Sequence, residues 1–199
     1  MSVSMEGHIS WVGEILREKQ PQKVLDIGVG MGLYGVLTRQ LCDWIRENGY
    51  KKENWKVKLV GIEAYESYIQ THQKYIYDNI IIGDISDNDI LNATEKEGPY
   101  DIVLMIDVLE HLDYEMAKIT VNRLKKFCKF IIISTPGGYF EQGSFNDNIY
   151  ETHKSGWVNS ILENPESLKI NHKLSDLGNI IKEDVKFPCA VVLIKGDLE

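Results

Sequence analysis

No apolar run among these 199 residues approaches the roughly 18 residues of a membrane-spanning helix. Met1 to Gly13 also lacks the basic start and apolar stretch of an export signal. A cytoplasmic location without membrane insertion is the expectation. Cysteine is scarce: Cys42, Cys128 and Cys189 are odd in number, far apart and free of CxxC spacing. That excludes a disulfide framework and a zinc knuckle and leaves reduced core thiols. Pro/Gly/Ser-rich tracts, internal repeats and low-complexity stretches are missing, so nothing divides the chain and residues 1–199 are expected to form one domain. Basic charge is also short: 22 Lys and Arg against 30 Asp and Glu give a net charge of −8, which argues against broad capture of a nucleic-acid backbone. The one basic cluster, Lys51, Lys52, Lys56 and Lys58 interrupted by Glu53, is read as a solvated loop.

What is present is ordinary for a globular protein, with 43% hydrophobic and 26% charged residues. Ile9, Val12, Ile15 and Leu16 fall at helical spacing, which predicts an N-terminal helix within residues 1–20. Val24 to Ile27 is a short strand that breaks into a glycine loop, and Leu33 to Ile45 returns to helical spacing through Val36, Leu37, Leu41 and Trp44. The alternation continues with strand Val57 to Ile62, helix Glu66 to Tyr77, strands Asn79 to Ile82 and Ile102 to Ile106, helix Tyr114 to Phe127 and strand Phe130 to Ser134. Helix signals return at Gly156 to Leu162, followed by apolar runs at Leu168 to Leu174 and Ala190 to Ile194. Seven strands are expected in all. Such alternation favours a three-layer α/β sandwich with helices on both faces of a mostly parallel sheet. Pro136 to Ser155 is a long loop carrying Tyr139, Phe140, Phe145 and Tyr150, and loops of that length are often lids or binding loops.

The strongest local signal is Val24-Leu25-Asp26-Ile27-Gly28-Val29-Gly30-Met31-Gly32, a strand ending in alternating glycines before a helix. Glycine there allows tight turning and close backbone approach to a ligand. A dinucleotide fingerprint wants its third glycine at position 33, where Leu33 stands, so the spacing is wrong for NAD. Asp26, just before the loop, would also repel a pyrophosphate. Further acids follow the next strands: Glu63, Asp84 and Asp107. Ligands of open α/β sheets bind at the carboxyl ends of strands, so these acids are expected to converge on a ligand that carries positive charge.

These pieces, in this order, resemble the class I S-adenosylmethionine-dependent methyltransferase family over nearly the whole chain. Asp26, Gly28, Gly30 and Gly32 match its first motif, Glu63 the acid that holds the ribose hydroxyls, and Asp84 with Ile85 the pair that meets adenine. Tyr100-Asp101-Ile102-Val103 and Asp107-Val108-Leu109-Glu110-His111-Leu112 look like its fourth strand and the turn after it. The resemblance implies a Rossmann-like seven-stranded sheet with an antiparallel last strand, S-adenosyl-L-methionine as cofactor, and Ala64, Ile106 and Asp107 among the cofactor-binding residues. Taken singly, Asp84 and Asp107 are equally well read as helix caps, and Asp101 as the opening of a strand.

After the fifth strand, His153-Lys154-Ser155-Gly156-Trp157 is similar to a segment of a bacterial subset of the family, some of whose members act on small molecules or sugars. Ser155 also reads as a helix N-cap and Trp157 as a core residue. The leading expectation is methyl transfer to an O or N of a small molecule or glycan, without a metal, with His153 or His111 removing the acceptor's proton. Bracing the turn or orienting the loop are the plain alternatives for these two histidines. His8, His72 and His172 have no motif around them. A second reading is a metal-assisted 2′-O-methyltransferase of RNA 3′ ends, in which Asp107, Glu110, His111 and His153 cage Mg²⁺ or Mn²⁺; the acidic chain and the lack of a basic, aromatic RNA platform stand against it. A third is a non-catalytic binding protein of the same fold.

Overall fold

The computed structural model describes residues 7–45, 49–136, 139, 141–157 and 189–198. The strand expected at Leu168 to Leu174 lies outside them, as does the helix expected from Gly156 to Leu162 beyond Trp157. Among the described residues the sheet has six strands: β1 (Lys23–Ile27), β2 (Lys58–Glu63), β3 (Asn79–Ile82), β4 (Tyr100–Ile106), β5 (Cys128–Pro136) and β6 (Cys189–Lys195). Their spatial order is β3-β2-β1-β4-β5-β6, parallel except for the antiparallel β6. β1 lies at the centre, with Val24 opposite both Leu59 of β2 and Ile102 of β4. The near-continuous apolar runs of β1, β4 and β5 follow from burial on both faces.

Two cores fill those faces. On one side Val12 and Leu16 of α1 (Gly7–Lys19) pack with Tyr34 of α2 (Leu33–Arg39), Ile76 of α3 (Thr71–Ile76), and Val24, Leu104 and Ile132 of the sheet. On the other, Leu91 of α4 (Asn88–Glu97) and Val121 and Leu124 of α5 (Tyr114–Lys125) pack on Leu25, Val103 and Ile131. The three layers are those expected from the alternating pattern.

Three elements differ from the periodicity. The helix expected from Glu66 to Tyr77 is a 3₁₀ turn, Glu66–Tyr68, followed by α3, because Ile69 and Gln70 are extended. Gln70 caps α3 instead of continuing the first turn, and its backbone N–H donates to Gln73 Oε1 at 2.8 Å. Helix α4 was not expected; its buried stripe is only Leu91 and Thr94, one turn apart, too little to register as a period. Helix α2 runs on into a π turn at Gln40–Trp44, in place of one regular helix to Ile45.

Candidate active site

The sheet delivers its loops to one end, and the glycine loop after β1 shapes that end. Gly28 has φ 78°, and its N–H and that of Val29 donate to the Ile62 carbonyl at 2.9 and 3.1 Å. A Cβ on Gly28 would lie 2.6 Å from Val108 Cγ2, so both the positive φ and the close approach require glycine. The Gly30 N–H donates to Glu63 Oε2 at 2.8 Å, and the Tyr65 N–H donates to Glu63 Oε1 at 2.9 Å. Burial, partly offset by these backbone donors, pushes the Glu63 carboxyl above its ordinary range.

Above this loop lies a cavity of about 660 Å³, within the range of small-molecule sites. Gly28, Gly30, Glu63, Ala64, Asp84, Ile85, Ile106 and Asp107 all line it, and so do His111 and His153. Asp84 is not a helix cap: its Oδ1 accepts from the Ser86 N–H and hydroxyl, both at 2.8 Å, in a local turn. Asp101 sits away from the cavity, accepting the backbone N–H groups of Gln22 and Lys23 at 2.7 and 3.0 Å and so tying β4 to the start of β1.

Two expected residues do not face the cavity. Gly32, at φ 81°, precedes α2 and packs against Gln73 and Tyr77. Asp26 alternates to the face of β1 opposite Leu25 and Ile27, where its carboxylate is 2% exposed and receives the Tyr77 hydroxyl. The sheet's two-residue period, which the acid-per-strand argument left out, turns it away from the ligand side. Burial raises the Asp26 pKa to about 7, against the Tyr77 bond that lowers it and with the Glu63 charge that raises it further. An unfolded aspartate releases its proton near pH ~4. The folded chain therefore holds more protons between about pH 4 and pH 7, so stability falls as pH rises through that window and levels off above it. A carboxyl moved that far forfeits roughly 4 kcal/mol at neutral pH. Asp26→Asn, which keeps an acceptor for Tyr77, is expected to raise the thermal midpoint at pH 8 by several degrees and to leave it nearly unchanged at pH 4. A lower midpoint at pH 8 would mean that the charged carboxylate stabilises the fold.

The far side of the cavity is assembled by a turn and a loop. The 3₁₀ turn Leu109–His111 follows β4, and the chain from Gln142 to Trp157 folds back onto it. The backbone N–H groups of Lys154 and Ser155 donate to the Glu110 carbonyl at 2.8 and 3.1 Å, and the Ser155 hydroxyl donates to the Leu112 carbonyl at 2.7 Å. Trp157 is 1% exposed, donates from Nε1 to Ser155 Oγ at 2.7 Å and stacks on Tyr114 with centroids 4.5 Å apart. Ser155 thus staples the segment to the turn, and Trp157 anchors it in the core. The result sets the His153 ring edge-on to His111 with centroids 4.9 Å apart.

One ligand atom each from Glu110, His111 and His153 lie within 4.8 Å of one another. The Thr152 carbonyl, 3.2 Å from His111 Nδ1, can only accept, so Nδ1 carries the proton and Nε2 is the bare nitrogen. Burial lowers the His111 pKa and keeps the ring neutral at neutral pH. Burial, with the Asp107 charge second, pushes the Glu110 carboxyl well above the carboxylate range, and its Oε2 is buried without a hydrogen-bond partner among the described residues. Tyr68 and Glu151 also line the cavity, and neither is singled out by the sequence. The Tyr68 hydroxyl donates to Glu151 Oε1 at 3.0 Å, tying the turn after β2 to the loop after β5 across the cavity. No motif marks either residue.

The sheet order, the glycine loop and the acids at the strand ends agree with the family whose profile, described as "Methyltransferase domain", matches residues 9–169. The chain belongs to this methyltransferase family. It is an S-adenosylmethionine-dependent methyltransferase with a Rossmann-like class I fold. None of the curated proteins searched matches the sequence significantly. Among solved structures, the N-terminal domain of EvdMO1, crystallised in the presence of S-adenosylhomocysteine and D-fucose, is similar with a TM-score of 0.61 at 12% identity, covering 98% of this chain and 84% of that one. The methyltransferase domain of bacterial CtHen1-C aligns with a TM-score of 0.57 at 15% identity over 96% of this chain and 97% of that one. The small RNA methyltransferase HEN1 aligns with a TM-score of 0.60 at 15% identity over 96% of this chain, which spans 25% of that protein. No helix among the described residues of the methyltransferase is long and apolar enough to cross a membrane.

Proposed function

We propose that this methyltransferase, with residues 1–199 acting as one domain, passes the methyl group to an oxygen or nitrogen of a small molecule or glycan held under the loop 136–155. The observation that carries the reading is one continuous cavity lined both by Gly28, Gly30 and Glu63 and by His111 and His153. The residues suit the donor: the glycine loop leaves room for close backbone approach, and the Glu63 carboxylate is already aimed by two N–H groups. Glu63 would hold the ribose hydroxyls, and Asp84 with Ile85 the adenine. Ala64 and Ile106 would wall the site, and Asp107 would face the cationic end. Asp26 and Gly32 act from behind, shaping the loop. S-adenosylmethionine supplies a methyl group on a sulfonium, reactive towards an oxygen or nitrogen lone pair. The chain's own part is to orient the acceptor in line and take its proton at His111 Nε2 or His153. The fold neighbour crystallised with D-fucose is in keeping with a sugar acceptor.

A second reading is favoured by one observation: Glu110, His111 and His153 offer one carboxylate and two imidazoles within 4.8 Å, with a buried carboxylate oxygen lacking a hydrogen-bond partner among the described residues. That mixed donor set suits Mn²⁺ or a similar dication, which would hold an acceptor hydroxyl and favour its ionised form. The fold neighbour HEN1 is a small RNA methyltransferase, which is in keeping with an RNA acceptor. The test is transfer of labelled methyl to a panel of sugars, glycosides, small phenols and amines, and 3′-hydroxyl RNA oligonucleotides, each with and without EDTA. Labelled sugars or small molecules in the presence of chelator support the first reading. Labelled RNA, lost with EDTA and restored by Mn²⁺, replaces it with the second.

A further inference from the structure

His8 has no motif around it, yet the fold takes it to the donor site. It lies in the first turn of α1, whose body packs against α2 and the π turn that follows, so that the helix begins above the carboxyl end of the sheet. The His8 side chain is 0% exposed, and neither ring nitrogen has a hydrogen-bond partner among the described residues. Burying both unsatisfied is costly unless a partner arrives. Asp107 Oδ1 lies 3.6 Å from His8 Nδ1, beyond a hydrogen bond but within a small movement of one.

Asp107 is itself unusual. It has φ 52°, uncommon for a residue with a side chain, immediately after β4. Ser134 of β5 pins it: the Asp107 N–H donates to Ser134 Oγ at 3.0 Å and the Ser134 hydroxyl donates to Asp107 Oδ1 at 2.6 Å. The strained residue faces the cavity between the glycine loop and Glu110. Strand order assigns it a place along the donor: Asp84 follows β3, Glu63 ends β2 and Gly28 follows β1, so β4 stands beyond them, where the sulfonium and ammonium would lie. Hydrogen bonds that serve a reaction are often long without ligand and tighten when it binds.

We propose that His8 is a positioning residue for methyl transfer: with donor bound, its Nδ1–H donates to Asp107 Oδ1 and, together with Ser134, fixes that carboxylate beside the cationic end of S-adenosylmethionine. The inference rests on the proposed donor-binding role of Asp107. It gives α1 a function beyond packing, because the first turn of the helix completes the site, and donor binding firms up that turn.

The test is calorimetric titration with S-adenosylhomocysteine, paired with thermal melting of the ligand-free proteins, for His8→Ala, His8→Asn, Asp107→Gly and the double variant His8→Ala/Asp107→Gly. Glycine at 107 removes the carboxylate while accepting the positive φ. His8→Ala is expected to weaken binding about tenfold, the scale of one charge-assisted hydrogen bond. His8→Asn, whose amide can donate from near the Nδ1 position, should restore binding to within about threefold. In the Asp107→Gly background His8→Ala should change affinity no further. A fall in thermal midpoint with unchanged affinity would reduce His8 to packing and overturn the proposal, as would additive losses in the double variant. If Asp107→Gly weakens binding and His8→Ala does not, only the inference about His8 fails. If Asp107→Gly itself leaves affinity unchanged, the donor-binding role of Asp107 fails with it.

Discussion

Glu63→Ala is expected to weaken S-adenosylhomocysteine binding about a hundredfold, the largest loss from any single donor-site side chain. Two effects add. The carboxylate would accept both ribose hydroxyls as charge-assisted bonds, and it also receives the N–H groups of Gly30 and Tyr65, which set the glycine loop against the end of β2. Its position is over-determined: β2 ends at Glu63, and the Gly83 N–H donates to the Glu63 carbonyl at 2.9 Å, so the residue is expected to keep its place when the donor enters. Glu63→Gln separates the two effects. The amide keeps one acceptor oxygen and offers N–H where an acceptor is needed, so an intermediate loss of about tenfold is expected. Asp26→Asn, by contrast, should leave affinity within about threefold, because the Asp26 carboxylate is bonded to Tyr77 behind the loop. Equal losses from Glu63→Ala and Asp26→Asn in calorimetry would put Asp26 back among the ligand-contacting acids.

The second large effect is on turnover. His111→Ala and His153→Ala are each expected to lower kcat about a hundredfold on the true acceptor while leaving S-adenosylhomocysteine affinity within about threefold. The division follows from the strand order, since the histidines come after β4 and β5 and Glu63 and Asp84 after β2 and β3, with His111 Nε2 unprotonated because Nδ1 donates to the Thr152 carbonyl. The metal-holding reading needs that bare nitrogen, and the proton-acceptor reading uses it if His111 rather than His153 is the base. They part at Glu110, since only the metal reading needs a carboxylate ligand there. Glu110→Gln should therefore match the histidine variants if a cation is held, and cost far less if a histidine simply takes the proton. If neither histidine variant slows turnover more than a few-fold, the rings only brace the loop and the base lies elsewhere.

The lining of the cavity by the glycine loop and the strand-end acids was legible in the sequence because its parts are local. A strand, a glycine loop and an acid at a strand end each occupy a few consecutive residues, and the open sheet gathers strand ends without further information. Asp26 shows the limit of that logic. It belongs to the motif yet faces the opposite side of β1, and the alternation of a strand buried on both faces cannot be read from apolar runs such as Val24 to Ile27. The acceptor half depends on contacts across long stretches of chain. His153 meets His111 because Ser155 and Lys154 bond to the turn at Leu109–His111, some 40 residues earlier, as the 41-residue separation of the His111 and Thr152 partners shows. The segment His153 to Trp157 could be singled out by its composition, but its partner could not be derived from spacing. His8 is the extreme case: it is a lone histidine at the start of an amphipathic helix, and only the packing of α1 against α2 places it beside Asp107.

The most direct test of the central claim is a crystal structure of the chain with S-adenosylhomocysteine. The expected result has the ribose hydroxyls on Glu63, the adenine against Asp84 and Ile85, and the sulfur beside Asp107, facing His111 and His153. A ligand bound away from the cavity formed by Gly28, Glu63 and Asp107, or turned so that its sulfur faces away from the two histidines, would contradict it.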